Sequence, residues 1–279
     1  MMQRKIAFIG GGNMAAAIIA GLIASGYEKS LITVSAPSEA TRTRFTQNMG
    51  ILTTANNVEA ASQADVVVLA VKPQLMREVC EGLKAIQNLD QKLFLTIAAG
   101  TAVQLYRDIL GPTLKIIRIM PNTPSLVGEG VSGVFADEMI TQDDKTFTTE
   151  LMSAVGKVVW VVKETEINHV IAVAGSAPGY LFLFLEAMYD KAIALGFEPH
   201  QARETILQTA KGIVALAEHE KDLGFNQLRK NVSSKGGTTV EALAVFENKG
   251  LKTTVDEAMQ AAIDRAQSME IEFSLNKKS

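Results

Sequence analysis

The chain has one cysteine, Cys80, among its 279 residues. A lone thiol excludes an internal disulfide and a CxxC metal site, and it fits a reducing cytoplasm, the expected location. Cys80 falls in a helical pattern and reads as a packed side chain, not a nucleophile. Histidine is almost as scarce. His169, His200 and His219 show no spacing of the HExxH kind, so no metal is expected. Basic charge is not in surplus either: 27 Lys and Arg against 30 Asp and Glu leave a net charge of −3. That balance argues against general affinity for nucleic acid or an anionic membrane, and neither is expected as a partner. No apolar run reaches the ~18 to 20 uninterrupted residues of a membrane span. The nearest approach, 174–188, contains Ser176, Pro178, Gly179 and Glu186 and reads as a buried helix. Internal repeats, low-complexity tracts and charged tails are missing. Apolar material is plentiful, with 47% hydrophobic against 20% charged residues, enough for one large domain or two modest ones.

That material starts at once, in "KIAFIGGGNMAAAIIAGLIASG" (5–26). Arg4 and Lys5 before an apolar run have the outline of a secretion signal, but a signal's apolar core follows its charges unbroken. Here Gly10, Gly11, Gly12 and Asn13 interrupt it. A strand over 5–9, a glycine turn and a helix over 14–24 stopped by Gly26 account for the same letters. The turn reads G-x-G-x-x-A at Gly10, Gly12 and Ala15. Gly10 permits a tight turn, Gly12 lets the backbone approach a pyrophosphate, and Ala15 lets helix and strand pack closely. Phosphates then rest on the N–H groups and positive end of the helix, with Gly11, Asn13 and Met14 completing the cradle. The bland alternative is a glycine turn that binds nothing. A second strand over 31–35 runs into Ser35-Ala36-Pro37-Ser38, with no carboxylate before Glu39 to hold a ribose 2′-hydroxyl. The hydroxyls of Ser35 and Ser38, followed by Arg42 and Arg44, suit a 2′-phosphate, so NADPH is favoured over NADH. The two arginines also fit a solvated helix face.

The α/β rhythm continues through strands expected at 65–71 (DVVVLAV), 92–98 (KLFLTIA) and 115–120 (KIIRIM), with weaker ones at 131–135 and 158–162. A doubly wound sheet over 1–162 follows, binding its ligand beyond the carboxyl ends of the strands. Four loops are expected there: 10–13, Lys72-Pro73-Gln74, Ala98-Ala99-Gly100 and Pro121-Asn122-Thr123-Pro124. After Lys163 strands cease. Helices are expected over 164–196, interrupted near Pro178, and over 199–216, 238–248 and 254–268. Their Ala- and Met-rich faces exceed what a small domain buries internally, which points to a helical dimer interface.

One stretch in this second half is not explained by packing: Val232-Ser233-Ser234-Lys235-Gly236-Gly237-Thr238-Thr239. Glycines and hydroxyls ahead of an apolar helix can cradle an anion on backbone N–H groups. They can equally form an ordinary helix cap with Thr238 or Thr239 as N-cap. Chemistry alone leaves both readings open. "VSSKGGTTVEAL" (232–243) resembles the signature of the pyrroline-5-carboxylate reductases. "FIGGGNMAAAIIAGL" (8–22), "AVKPQ" (70–74), "IAAG" (97–100), "RIMPNTP" (118–124) and "GSAPGYLF" (175–182) extend the resemblance in order over nearly the whole chain.

The resemblance implies a Rossmann-like α/β domain (1–162) and an all-α dimerisation and substrate-binding domain (163–279). It implies NAD(P)H-dependent reduction of the cyclic imine 1-pyrroline-5-carboxylate to L-proline. Thr239 would face the imine nitrogen, and Ser234, Gly236, Gly237 and Thr238 would hold the carboxylate. Asn56 would contact the adenosine side of the cofactor. Ala70, Lys72 and Pro73 would lie along the nicotinamide ribose and Pro121 and Asn122 beside the nicotinamide, with Val71, Ala98, Ala99 and Gly100 also among the cofactor-binding residues. The family forms interlocked dimers, often assembled into decamers (pentamers of dimers), in which one subunit's substrate loop approaches the other's cofactor. Two departures stand out: Lys235 replaces a usual proline, and "GSAPGY" replaces "GSGPAY". A β-hydroxyacid dehydrogenase would need a basic catalytic residue, commonly lysine, on the first long helix of the second domain, where Lys191 lies near the far end. A cofactor-sensing binder without turnover, and an enzyme for the six-membered imine homologue, are the other readings weighed.

Overall fold

The computed structural model describes residues 2–275. The described residues form two compact units, 2–176 with 261–275, and 177–260. Strands stop near residue 162, but the helical stretch that follows, to residue 176, belongs with the sheet by compactness.

In the first unit, strands alternate with helices: β1 (Ile6–Ile9), α1 (Asn13–Ala24), β2 (Ile32–Ser35), α2 (Glu39–Met49), β3 (Leu52–Thr54), α3 (Asn57–Ser62), β4 (Val66–Leu69), α4 (Pro73–Leu83), β5 (Leu93–Thr96), α5 (Val103–Leu110) and β6 (Lys115–Met120). Then come β7 (Gly130–Phe135), α6 (Gln142–Ser153), β8 (Gly156–Val161) and a short α7 (Ile167–Val170). The eight strands lie in the order β3-β2-β1-β4-β5-β6-β7-β8. The first six are parallel, β7 runs antiparallel to β6, and β8 is parallel to β7.

Every residue of β1, β4 and β5 is buried, as strands covered by helices on both faces must be. Phe8, Ile18, Leu22, Val34, Phe45 and Phe147 fill one side of the sheet. Ile9, Leu69, Met76, Cys80, Phe94 and Tyr106 fill the other. Cys80 is packed as expected, and burial pushes its thiol pKa up to about 12. Register matters for function: Ser35, Ile9, Leu69, Thr96 and Arg118 stand in one row across β2, β1, β4, β5 and β6. All the loops that follow these strands therefore open on one edge of the sheet.

The helix expected over 164–196 differs in detail. A 3₁₀ turn (Glu164–Glu166) and α7 lead into a π-helical turn (Ile171–Gly175), before α8 (Ala177–Ala194) begins. Pro178 explains the break, because it has no N–H for the carbonyl of Ala174, four residues back, and its ring crowds that carbonyl.

The second unit comprises α8, α9 (Pro199–His219), α10 (Phe225–Asn231), α11 (Thr238–Asn248) and the start of α12 (Leu251–Leu275). Phe184 and Phe246 pair their rings at 5.8 Å between α8 and α11, and Arg229 meets Glu247 at 2.8 Å between α10 and α11. The expectation of a buried helix over 174–188 is corrected here: no residue of α8 is buried, and Leu181, Phe182 and Leu183 are each about two-thirds exposed. Sequence periodicity reports how apolar a helix is, not which chain covers it. Glu164–Ala194 is also the one stretch among the described residues long and apolar enough, by length and composition, to cross a membrane.

Candidate active site

The glycine turn after β1 is built by three different demands. Gly10 has φ +107°, and its N–H donates to the carbonyl of Ser35 at 2.9 Å. A Cβ there would lie 2.6 Å from the carbonyl oxygen of Ala70. At Gly11 a Cβ would meet Phe45 and Thr41 at 2.7 Å. Gly12 is different: its backbone is extended, and a Cβ would meet nothing within 4 Å. It is the N-cap of α1 and caps with no side chain, so the first N–H groups of the helix are left for another acceptor. Ala15 is buried against the sheet, as close packing requires. The geometry fits a diphosphate, since the open space at Gly12 is what a side chain would fill.

Between the end of β2 and Glu39 no carboxylate is present. Ser35 is buried and its hydroxyl donates to Asn57 Oδ1 at 2.6 Å, while Ser38 caps α2 by accepting from the N–H of Thr41. Arg42 Nη1 donates to the carbonyls of Ala36 and Pro37, both at 2.7 Å, and so holds the turn. Arg44 Nη2 donates to the carbonyl of Gly11 at 2.8 Å, which puts an exposed guanidinium beside the glycine turn. Asn56 caps α3, its Oδ1 accepting from Val58 and Glu59.

After β4, the N–H of Ala70 donates to the carbonyl of Ile9 at 2.9 Å. Val71 follows half-buried, Lys72 is the exposed N-cap of α4, and Pro73 occupies its first turn. After β5, Ala98 and Gly100 are buried and Ala99 half-buried. Gly100 has φ +70° and packs on Met269 and Phe273 of α12. After β6, Pro121 and Asn122 are buried. Asn122 accepts from the N–H of Val131 at 2.8 Å and donates to the carbonyl of Ala174 at 3.0 Å, the group that Pro178 cannot serve. The structure thus gathers Gly10, Gly11, Gly12, Asn13, Met14, Ser35, Ser38, Ala70, Val71, Lys72, Pro73, Ala98, Ala99, Gly100, Pro121 and Asn122 along the carboxyl edge of the sheet; Asn56 follows β3 on the same side.

In the second unit, Gly236 has φ +73°, and Gly237 donates its N–H to the carbonyl of Ser234 at 2.9 Å. Gly237, not a threonine, is the N-cap of α11, and no side chain caps the helix. Thr238 and Thr239 are its first two residues, and Ser234 and Lys235 are exposed. The reading of a threonine-capped helix is thereby set aside. Among the described residues no cluster of three or more His, Cys, Asp or Glu could hold a metal ion.

Sequence reasoning missed Arg118, which is only 2% exposed although it lies in an apolar strand. It meets Glu164 at 3.1 Å and Glu270 at 2.6 Å, the second contact lying off the hydrogen-bonding direction. A base in the middle of the apolar strand KIIRIM was the available signal, but its partners are remote in sequence.

Six parallel strands in the order β3-β2-β1-β4-β5-β6, with a bare glycine turn at the start of α1, define a dinucleotide-binding protein of the Rossmann class. Residues 5–100 match the family described as NADP oxidoreductase, coenzyme F420-dependent, and residues 164–269 match pyrroline-5-carboxylate reductase dimerisation. A pyrroline-5-carboxylate reductase of Vibrio alginolyticus is 51% identical, the match covering 97% of this chain and 99% of the relative. The pyrroline-5-carboxylate reductase structure from Coxiella burnetii aligns with a TM-score of 0.90 at 39% identity, covering 96% and 99% of the two chains. That of Plasmodium falciparum pyrroline carboxylate reductase, solved with NADP bound, aligns at 0.86 with 29% identity, covering 97% and 99%. The chain belongs to the pyrroline-5-carboxylate reductase family. Its activity is the NAD(P)H-dependent reduction of the C=N bond of 1-pyrroline-5-carboxylate to L-proline, the final step of proline biosynthesis.

Proposed function

We propose that the starts of α1 and α11, each with a glycine at the N-cap and no side-chain cap, divide the work of this reduction. NADPH, when bound, supplies the hydride for the imine carbon. Gly10, Gly11, Gly12, Asn13 and Met14 hold its diphosphate, and Ser35, Ser38 and Asn56 shape the adenosine side. Ala70, Val71, Lys72 and Pro73 line the nicotinamide ribose, while Ala98, Ala99, Gly100, Pro121 and Asn122 border the nicotinamide. Arg44 beside the glycine turn, with no acid at the end of β2, supports NADPH as the preferred dinucleotide over NADH.

The observation that carries the substrate assignment is the N-cap of α11. Gly237 leaves the first N–H groups of that helix without a side-chain acceptor, and Ser234 lies in the same turn. A carboxylate held by Ser234, Gly236, Gly237 and Thr238 satisfies those donors and sits at the favourable end of the helix dipole. Thr239, one residue on, then faces the imine nitrogen. Its hydroxyl is too weak an acid to be the source of the proton. It orients a water, or an iminium that already carries that proton, as the nitrogen gains electron density.

Residues 163–279 serve as the dimerisation and substrate-binding part. The match to a dimerisation family and the exposed apolar face of α8 support a homodimer; a cytoplasmic location and a decamer as the further assembly complete the proposal. The substrate loop of one subunit then serves the cofactor of its partner.

The test follows NADPH oxidation with 1-pyrroline-5-carboxylate in the wild type, Thr239→Val and Ser234→Ala. Wild type turns over, and at least one variant loses ~10²-fold or more in kcat/KM, as for removal of a polar group that meets developing charge. Unchanged rates in both variants overturn the assignment of roles.

A further inference from the structure

We infer that the end of α12 is a positioning element for the cofactor, acting through the loop after β5, with Glu270 as its key residue; this rests on the reading that Ala98–Gly100 borders the nicotinamide. The loop is gripped from two sides. Beneath it runs a buried polar chain: the hydroxyls of Thr96 and Tyr106 meet at 2.5 Å, Tyr106 donates to Thr101 Oγ1 at 2.8 Å, and Thr101 donates to the carbonyl of Ala98 at 3.0 Å. Against its outer side lie Met269 and Phe273. An added Cβ on Gly100 would stand 2.9 Å from Met269 Cβ and 3.0 Å from the Phe273 ring. So the loop and α12 approach as closely as a glycine allows.

What fixes α12 at that depth is Glu270, between those two side chains. Its carboxylate is 2.6 Å from Nη2 of Arg118, a side chain only 2% exposed. Arg118 also meets Glu164 at 3.1 Å, and Glu164 accepts from the N–H of Val103 at 2.8 Å, at the start of the helix that follows the loop. A guanidinium this deep is costly to leave unpaired, so the position of α12 is held where both carboxylates serve it. A shift of the helix moves Met269 and Phe273, and with them Gly100. The Arg265–Glu272 pair of α12 does not do this: it is half exposed and lies within the helix.

Glu270→Gln tests this, because it keeps the shape and removes the charge. Phe273→Ala loosens the same contact without touching the ion pair, and Glu272→Gln is the control. Three readouts are needed: NADPH affinity by fluorescence in the absence of substrate, KM for each substrate, and amide hydrogen exchange of residues 97–101. In both test variants the Kd and KM for NADPH rise ~10-fold, as expected for a site loosened by a fraction of an ångström. The KM for 1-pyrroline-5-carboxylate stays within about twofold and the loop amides exchange faster, while Glu272→Gln matches wild type. If Glu270→Gln fails to fold, Phe273→Ala decides. Unchanged NADPH affinity in the folded variants, or an equal loss toward both substrates, overturns the inference. Absence of turnover in the wild type would instead count against the proposed reaction and leave the NADPH-binding readout intact.

Discussion

Gly10 and Gly12 stand two residues apart in one turn, and they are glycine for opposite reasons. At Gly10 the constraint is internal. The positive φ costs an L residue roughly 1–2 kcal/mol, and the carbonyl of Ala70 occupies the place of a Cβ. That carbonyl belongs to the backbone leaving β4 and cannot swing aside as a side chain could. Gly10→Ala is therefore expected to destabilise the fold by ~2–4 kcal/mol, visible as a lowered Tm without any ligand. At Gly12 the constraint is external. Its φ of −74° suits any residue, and the space around it is open. Gly12→Ala should keep the Tm of the free protein within the ~1 kcal/mol of an N-cap change, yet raise the Kd for NADPH ~10-fold or more by occupying the diphosphate's place. Equal effects of the two substitutions on both Tm and affinity would contradict this division.

At the scale of the element, α2 carries two arginines with separate tasks. Arg42 is committed to the carbonyls of Ala36 and Pro37 and so holds the turn that follows β2. Arg44 is exposed, lies over the Phe45 ring at 5.1 Å and is anchored by one donor to Gly11. Its remaining donors and its charge can meet a 2′-phosphate. Arg44→Ala is expected to lower the ratio of kcat/KM for NADPH over NADH ~10-fold, the worth of one charge-assisted contact, with the NADH rate nearly unchanged. A ratio that stays at its wild-type value would assign discrimination elsewhere. Elements of this kind were legible from sequence where local chemistry decides them. The bounds of β6 and α11 agree with the expected 115–120 and 238–248. β3 escaped notice because three residues with an exposed Leu52 carry too little pattern, and the short, polar α10 did so for the same reason. The glycine turns were legible because backbone conformation is a local demand. Asn122 bonded to Ala174, and Arg118 set between Glu164 and Glu270, were not, because no spacing in the sequence encodes which remote groups the fold brings together.

For the whole molecule, the uncovered helices of the second unit are the feature that a single chain leaves unresolved. Leu181, Phe182 and Leu183 on α8, Ile213 and Val214 on α9, and Val245 on α11 are mostly exposed. Beside them a groove of about 480 Å³ between α8 and α9 is lined by Phe182, Leu185, Tyr189, Ile206 and Leu207. A folded chain seldom leaves so many large apolar side chains bare on one helical unit, and the dimerisation match covers all of these residues. Burial on a partner stabilises each large side chain by ~1.5–3 kcal/mol, so a charge placed there should act far more strongly than one placed on another exposed residue. Phe182→Asp is expected to raise the dimer dissociation constant ~100-fold or more, as for a central interface anchor, read as mass by light scattering across a dilution series. Because one subunit's substrate loop is proposed to serve its partner's cofactor, turnover should fall in step with dissociation while NADPH affinity persists. Leu52→Asp, on a residue 56% exposed at the edge of the sheet, should leave the mass unchanged. A wild type that is monomeric at micromolar concentration, or a Phe182→Asp dimer as tight as wild type, would mean that this face is covered in some other way.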